Sequence, residues 1–380
     1  MWQMLFNFMV IQTNHIYYMI LKNIIRFCLV KQNGMHFARQ INNVVNLQYN
    51  FVILMHYSSN KNESMKGKNM ISKNTYNMIK TWVYRNARDI ELSLWKYYFE
   101  NGSKDDIISA LSFFQNEDGG FGNSLEPDNW NPNSTPYTTL YAISILNDIE
   151  FEDLNHPIYK GILKYLYSEK DLMDYGWRFC VPTNDNFPHA PWWNFNEEAN
   201  LLESNGVTTG LSIFVLKYAD KDSIIYQKTT TLVKTLVNHL MTGNNFGDMG
   251  IAGYVELLYA MKELKFDEYD YSSLQLRLNN LVRNSIENDI SKWQYYGVRP
   301  SNYIRSPQSI YYNENKDIVE NEINYLIETI PQNDVWGITW TWFDNNSKYN
   351  KEFAISENWW KSNKAIEKMR FLKNFGYIEV

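Results

Sequence analysis

The chain has 380 residues and a formal net charge of −6, with 44% hydrophobic, 16% aromatic and 21% charged residues. This length is sufficient for one large domain or two ordinary ones, and the aromatic content can fill a large core. The acidic balance argues against nucleic acid and against an anionic membrane surface as partners. The cysteines, Cys28 and Cys180, form no motif. We therefore expect a reducing, cytoplasmic setting.

Residues 1–70 differ in composition from residues 71–380, and we divide the chain there into an extension and one domain. The extension holds seven Lys and Arg residues against a single acid, Glu63. Its apolar runs are interrupted by polar residues such as Lys22, so none reaches the length of a membrane helix. It is either an interfacial anchor, a disordered extension, or the product of a start codon assigned too early. We favour the last interpretation, and expect membrane association only through this segment.

From residue 74 onward, apolar residues recur at steps of three and four, which is typical of amphipathic helices. Strand-like alternation is scarce, so the sequence predicts an all-α fold. Two long joints, 171–205 and 290–315, are rich in aromatic residues and proline, and we expect them to be ordered. The predicted helices lie near residues 75–100, 104–116, 136–148, 156–168, 206–219, 223–241, 249–264, 271–289, 316–330 and 357–374.

A repeated pattern ends several of these helices. Residues 115–122 read Gln-Asn-Glu-Asp-Gly-Gly-Phe-Gly, in which the glycines can end the helix and Phe121 can fill the gap beside it. Further copies are centred on Gln332 and Trp336, on Lys170 and Trp177, and on Asn244 and Phe246. Because the copies are spread along the domain, they indicate a repeat architecture.

This pattern resembles the QW repeat of terpenoid cyclases and protein prenyltransferases, over roughly residues 75–376. The resemblance implies an α/α toroid, a ring of helical hairpins around an aromatic central cavity, with the long joints over one mouth. It departs from the family in lacking the Asp-x-Asp-Asp acid motif, the Asp-x-Cys zinc motif and an aspartate-rich metal motif. We therefore expect no metal and no cofactor. Glu126, Asp128 and the segment around His189 look like those of uncharacterised bacterial cyclase-like proteins.

The first candidate site is the run Glu126-Pro-Asp128-Asn-Trp130, which follows the first repeat directly. A carboxyl beside apolar rings has a raised pKa and can act as a general acid. The alternative interpretation is structural, with Glu126 and Asp128 capping the next helix or pairing with an arginine. Trp130 would contact the substrate.

The second candidate site lies in the joint 171–205. His189 stands between prolines, which hold its backbone extended, and Asp185 is near enough in sequence to orient the imidazole. Trp192 and Trp193 offer flat faces that suit a carbocation, a prenyl chain or a sugar, and Asn194 follows them. His189 is either a catalytic residue or a hydrogen-bonded loop residue.

The third candidate site contains Arg299, Tyr303 and Arg305. The arginines could grip a diphosphate or carboxylate, but we favour ion pairs with Glu126 and Asp128. In the last repeat, Trp342 is expected to face the cavity.

Three functions follow as hypotheses, all with a small molecule as partner. The first is a terpenoid-cyclase-like enzyme, in which Glu126 or Asp128 protonates an isoprenoid. The second is a carbohydrate-active toroid with paired carboxylates. The third is a non-catalytic binding toroid, whose cavity its own side chains would fill.

Overall fold

The computed structural model describes residues 69–378, and these are predominantly helical, as the all-α expectation required. Their one sheet is an antiparallel pair of short strands, β1 (Leu172–Met173) and β2 (Gly176–Trp177). The helices are α1 (Lys73–Asn86), α2 (Asp89–Phe99), α3 (Lys104–Ser112), α4 (Pro136–Asp148), α5 (Pro157–Tyr167), α6 (Glu197–Tyr218), α7 (Ile224–Thr242), α8 (Gly247–Glu263), α9 (Tyr271–Ser285), α10 (Lys316–Glu328), α11 (Asn345–Lys348) and α12 (Asn350–Asn374).

The helix predicted over 75–100 is two helices, α1 and α2. Ala87 and Arg88 have extended backbones, and Glu91 closes the start of α2 by accepting from Arg88 N at 3.2 Å and Arg88 Nε at 3.0 Å. Both helices bury apolar residues at helical spacing, so apolar periodicity continues through this break and the pattern alone did not reveal it.

Two helices begin earlier than their apolar pattern predicts. Helix α6 starts at Glu197 because the Asn196 side chain accepts hydrogen bonds from the backbone N–H groups of Glu198 and Ala199. An asparagine cap followed by acids is a readable start signal. The joint predicted over 171–205 therefore ends at residue 196. Helix α12 starts at Asn350 rather than near residue 357.

The helices pack mainly on their neighbours in sequence. Helix α6 contacts α4, α5, α7 and α8, and α9 contacts α7 and α8. At the two ends of the described chain, α12 packs against α1 and α2. Ile71 N also donates to the Tyr377 carbonyl at 2.9 Å, beside a parallel bridge between Ile71 and Ile378. The first and last helices are thus neighbours in space.

The turn after α3 shows how the repeat works physically. Gln115 Nε2 donates to the Gly119 carbonyl at 2.9 Å and to the Ile158 carbonyl of α5 at 3.0 Å. Gly119 has a φ of +91°, and a Cβ there would lie 2.0 Å from the Gly161 carbonyl oxygen. Glycine at both places lets the turn rest directly on α5.

In the other copies of the repeat the aromatic residue is buried as Phe121 is, but the burial of the polar residue is not retained. Phe121, Trp177, Phe246 and Trp336 are all buried, and they follow α3, α5, α7 and α10 respectively. In contrast, Gln332 is exposed.

No helix among residues 69–378 is both long and apolar enough to cross a membrane. The expectations for the extension, residues 1–70, lie outside the described residues except at its last two positions.

Candidate functional site

Three segments meet around the carboxyl groups of Glu126 and Asp128, which we call the carboxylate site. The segment 126–131 pairs with the segment 187–194: Trp130 N donates to the Pro188 carbonyl and Ala190 N to the Asp128 carbonyl, each at 2.9 Å. The third segment, 340–345, is attached by Asn345 Nδ2, which donates to the His189 carbonyl at 2.8 Å. The structure therefore brings the first two candidate sites together.

Asp128 is held by two indole groups. Trp342 Nε1 donates to Oδ1 at 2.6 Å and Trp340 Nε1 donates to Oδ2 at 2.9 Å. Only 1% of the residue is exposed. Burial raises the pKa of Asp128 to about 6, although the indole hydrogen bonds favour its charged form. The carboxyl is therefore ionised at neutral pH, with both oxygens engaged.

Glu126 is buried in a different way. Its Oε2 and Nε1 of the adjacent Trp193 make no hydrogen bond of ordinary geometry among the described residues. Burial, and then the charge of Asp128, raise the pKa of Glu126 well above its usual value, against the opposing effects of the Asp128 backbone N–H, Arg88 and the Trp193 indole. The surroundings of Glu126 therefore favour its protonated form, and a carboxyl perturbed in this way is a candidate functional group.

Aromatic rings surround this pair of acids. Trp193 packs against Tyr137, with ring centroids 4.5 Å apart, and against Phe179 at 4.6 Å. Trp340 packs edge-on to Trp360 at 5.4 Å and to Tyr296 at 6.3 Å. The carboxylate site thus combines a carboxyl whose surroundings favour its protonated form and a hydrogen-bonded carboxyl with ring faces that can stabilise a cation.

Both ring nitrogens of His189 form hydrogen bonds within its own loop. Its Nδ1 lies 2.5 Å from the Phe187 carbonyl oxygen and its Nε2 lies 2.6 Å from Asn194 Oδ1. Asp185 Oδ1 is 4.0 Å from Nε2, beyond hydrogen-bond distance, and accepts instead from Phe195 N. This geometry supports the loop-holding interpretation of His189, with Asn194 rather than Asp185 orienting the ring.

Of the tryptophans predicted to contact substrate, Trp130 and Trp192 pack against neighbouring residues, whereas Trp342 contacts the carboxylate site. Trp130 stacks on Trp359 at 5.4 Å, and its Nε1 donates to Ser356 Oγ at 2.9 Å, which joins the segment 126–131 to α12. Trp192 is half-buried and packs against the core. Trp342 is buried and faces Asp128.

The arginines of the third candidate site do not pair with Glu126 or Asp128, contrary to our expectation. Arg305 pairs with Asp148 at 3.3 Å. Arg299 donates to the Trp293 carbonyl and lies over the Tyr325 ring. Tyr303 accepts a hydrogen bond from Ser285 on α9. The joint that carries them approaches the carboxylate site through the Tyr296 ring, which packs edge-on to Trp340.

Arg88, which was not predicted as a site residue, also acts on the charge of Glu126. It pairs with Glu91 and donates to the Ser124 and Leu125 carbonyls, so it holds the chain just before Glu126. Its position between helices gave no distinctive sequence signal.

A group of three asparagines beside the carboxylate site was also not predicted from the sequence. Asn184 Oδ1 accepts from Asn129 Nδ2 at 3.2 Å and from Asn131 Nδ2 at 2.9 Å, and Asn184 Nδ2 donates to the Trp193 carbonyl at 3.1 Å. All three asparagines are buried. The high density of asparagine in both segments was the available signal.

Two surface depressions of the described residues lie elsewhere, along α8 and α9, and both are lined by Lys262 and Gln275. Neither contains Glu126 or Asp128, and neither is the large aromatic cavity that we expected. Within residues 69–378, no group of three His, Cys, Asp or Glu side chains comes together in a way that could hold a metal ion.

No protein-family model matches this chain, and comparisons with curated proteins and with solved structures give no significant match. The resemblance to the cyclase and prenyltransferase toroids therefore depends on the repeat residues themselves.

Proposed function

We propose that this protein is an α/α toroid that uses Glu126 as a general acid on an unsaturated, isoprenoid-like substrate. The observation that carries the proposal is the buried Glu126 carboxyl, whose pKa is raised and whose Oε2 makes no hydrogen bond of ordinary geometry within the described residues. A protonated acid in an apolar setting can transfer its proton to a carbon–carbon double bond when no stronger base is near. We propose the cytoplasm as its compartment, since the buried Cys180 is a free thiol.

The toroid itself is supported by two features. Helix α12 packs against α1 and α2, as a closed ring of helices requires. In addition, the buried aromatics Phe121, Trp177, Phe246 and Trp336 recur after every second helix in the first part of the chain and again after α10.

The residues take different roles in this mechanism. Glu126 donates the proton, and the resulting cation is stabilised by the charge of Asp128 and by the rings of Tyr137, Trp193 and Trp340. Because both oxygens of Asp128 accept indole hydrogen bonds, this carboxylate is poorly placed to act as a nucleophile or base. That feature disfavours the paired-carboxylate chemistry of glycan cleavage.

The non-catalytic binding toroid is the second candidate. It is favoured by one observation: the two surface depressions along α8 and α9 do not contain the carboxylate site. In that case the site would be a structural junction filled by its own side chains.

The test is thermal unfolding of the full chain with farnesyl diphosphate, geranylgeranyl diphosphate, squalene, maltoheptaose or chitohexaose, followed by product analysis. A ligand at a hundred times its dissociation constant adds about 2.7 kcal/mol of stability, which gives a measurable rise in melting temperature. We expect a shift with an isoprenoid, and a cyclised product from the wild type.

The variant Glu126→Gln should keep binding and lose the product. Glu322→Gln is the matched control, because Glu322 is another buried carboxyl with a raised pKa but has both oxygens bonded to Ser301. Full turnover by Glu126→Gln would reject the acid role. A shift only with the sugars would favour glycan chemistry, and none with any ligand would favour the non-catalytic toroid.

A further inference from the structure

Helix α12 carries a lysine whose surroundings differ from those of every nearby cation. Lys368 is half-buried, and its Nζ lies 5.4 Å from the centre of the Trp336 ring. Among residues 69–378, that nitrogen makes no hydrogen bond and no ion pair. It is nevertheless not sealed from solvent, since it is absent from the fully buried unpartnered polar atoms.

The charged groups around Lys368 leave its ammonium form uncompensated. Lys364 precedes it by one helical turn and Arg299 approaches from the chain before α10, so the nearest cations repel it. The nearby carboxylates are already engaged. Glu367 pairs with Lys364 at 2.7 Å, and Glu322 accepts from Ser301 N at 2.8 Å and Ser301 Oγ at 2.6 Å.

This cluster favours the neutral amine. Burial, and then Arg299 and Lys364, lower the pKa of Lys368 to about 7, against the weaker opposing charges of Glu367 and Glu322. A lysine that is desolvated beside other cations is the usual form of a nucleophilic lysine, because its free amine is present at neutral pH.

We propose that Lys368 is a nucleophilic amine site that captures carbonyl compounds, aldehydes above all, as an imine. The Nζ lone pair attacks the carbonyl carbon, and a proton moves from nitrogen to the former carbonyl oxygen to give a carbinolamine. The C–O bond then breaks, the oxygen leaves as water with the second amine proton, and a C=N bond remains. No oxidant or reductant is consumed. The site is independent of the acid role of Glu126.

Lys361 is the matched control on the same helix. Its Nζ also lies over an indole, 5.1 Å from the centre of the Trp82 ring, but it pairs with Asp334 at 2.9 Å. The ion pair engages this amine, so it should react more slowly than Lys368 although it too lies over an indole.

The test treats the full chain with acetaldehyde and sodium cyanoborohydride, which reduces the imine to N-ethyl-lysine, and measures the label on each lysine by peptide mass spectrometry. At pH 7 we expect Lys368 to be labelled roughly tenfold faster than Lys361, because about half of a lysine population with a pKa near 7 is unprotonated. The ratio of the two rates should fall as the pH rises toward 9.

The variant Lys364→Gln removes one repelling cation and frees Glu367, so it should lower the Lys368 to Lys361 ratio at pH 7. A ratio of one or less in the wild type, or a ratio that does not change with pH, would overturn the proposal. So would a Lys368 that takes no label at any pH, since the amine would then be inaccessible.

Discussion

At the residue scale, burial moves two kinds of ionisable group toward their neutral forms. It raises the pKa of Glu126 and Asp128 and lowers that of Lys368. A like charge nearby adds to the effect of burial for Glu126 and Lys368, whereas for Asp128 burial acts against its indole hydrogen bonds. Because two indole N–H groups donate to the oxygens of Asp128, its charged form is better stabilised than that of Glu126.

The hydrogen bond between Trp342 and Asp128 gives a pH-dependent prediction. Because the folded-state pKa of Asp128, about 6, exceeds its ordinary value of 3.8, the native state binds more protons than the unfolded state between those pH values. The contribution of Asp128 to stability is therefore present below pH 3.8 and is lost as the pH rises to 6.

We expect Trp342→Phe, which deletes an N–H donor to a charged group, to lower the free energy of unfolding by roughly 1.5–3 kcal/mol at pH 8. The loss should be smaller at pH 5, where Asp128 is mostly protonated. Urea unfolding at both pH values measures it. The control is Trp293→Phe, since Trp293 Nε1 donates to the neutral backbone carbonyl of Glu287 at 2.8 Å and its loss should not depend on pH. Equal losses for Trp342→Phe at both pH values would contradict the charged state of Asp128.

At the element scale, the turn after α3 rests on α5 because neither side carries a Cβ at the contact. A Cβ on Gly161 would lie 2.3 Å from Gln115 Nε2, and that nitrogen ties the turn to the Ile158 carbonyl. The general preference of helices for alanine over glycine is therefore reversed at this position.

We expect Gly161→Ala to lower the free energy of unfolding by about 1–3 kcal/mol, because the new methyl group displaces Gln115 and leaves buried polar groups unpaired. Gly337→Ala is the control, since a Cβ there meets nothing within 4 Å. Chemical denaturation of both variants measures the difference. A Gly161→Ala protein more stable than wild type would mean that helix propensity outweighs the contact.

At the scale of the whole molecule, the ends of the described chain support each other. Arg370 of α12 donates to Tyr98 of α2 at 3.0 Å and to Asp148 of α4 at 2.9 Å, in addition to the apolar packing of α12 on α1. Contacts between such distant parts of the sequence make the stability of α1 depend on that of α12.

We expect Leu372→Ala to destabilise the protein by about 2–5 kcal/mol and to reduce hydrogen-exchange protection in α1 and α2 together with α12. Leu372 is fully buried on α12. The control, Leu278→Ala, removes an equally buried leucine from α9, which contacts α7 and α8. If Leu372→Ala left α1 and α2 as protected as Leu278→Ala does, the ends would not be energetically coupled.

The sequence by itself determined the helical class, most helix positions and the buried repeat aromatics, because these depend on apolar periodicity and on residues close along the chain. It also identified Glu126 and Asp128, since an acidic pair beside tryptophans is visible in the sequence. Only the tertiary structure decided which groups meet them. The indoles of Trp340 and Trp342 reach Asp128 from the far end of the chain, and Arg305 pairs with Asp148 instead. The environment of Lys368, whose charge has no ion-pair partner among the described residues, likewise depends on Arg299 and Trp336. Only the packing of the helices brings these two residues to α12. Burial and charge pairing are properties of groups distant in sequence, so they become definite only when the helices have packed.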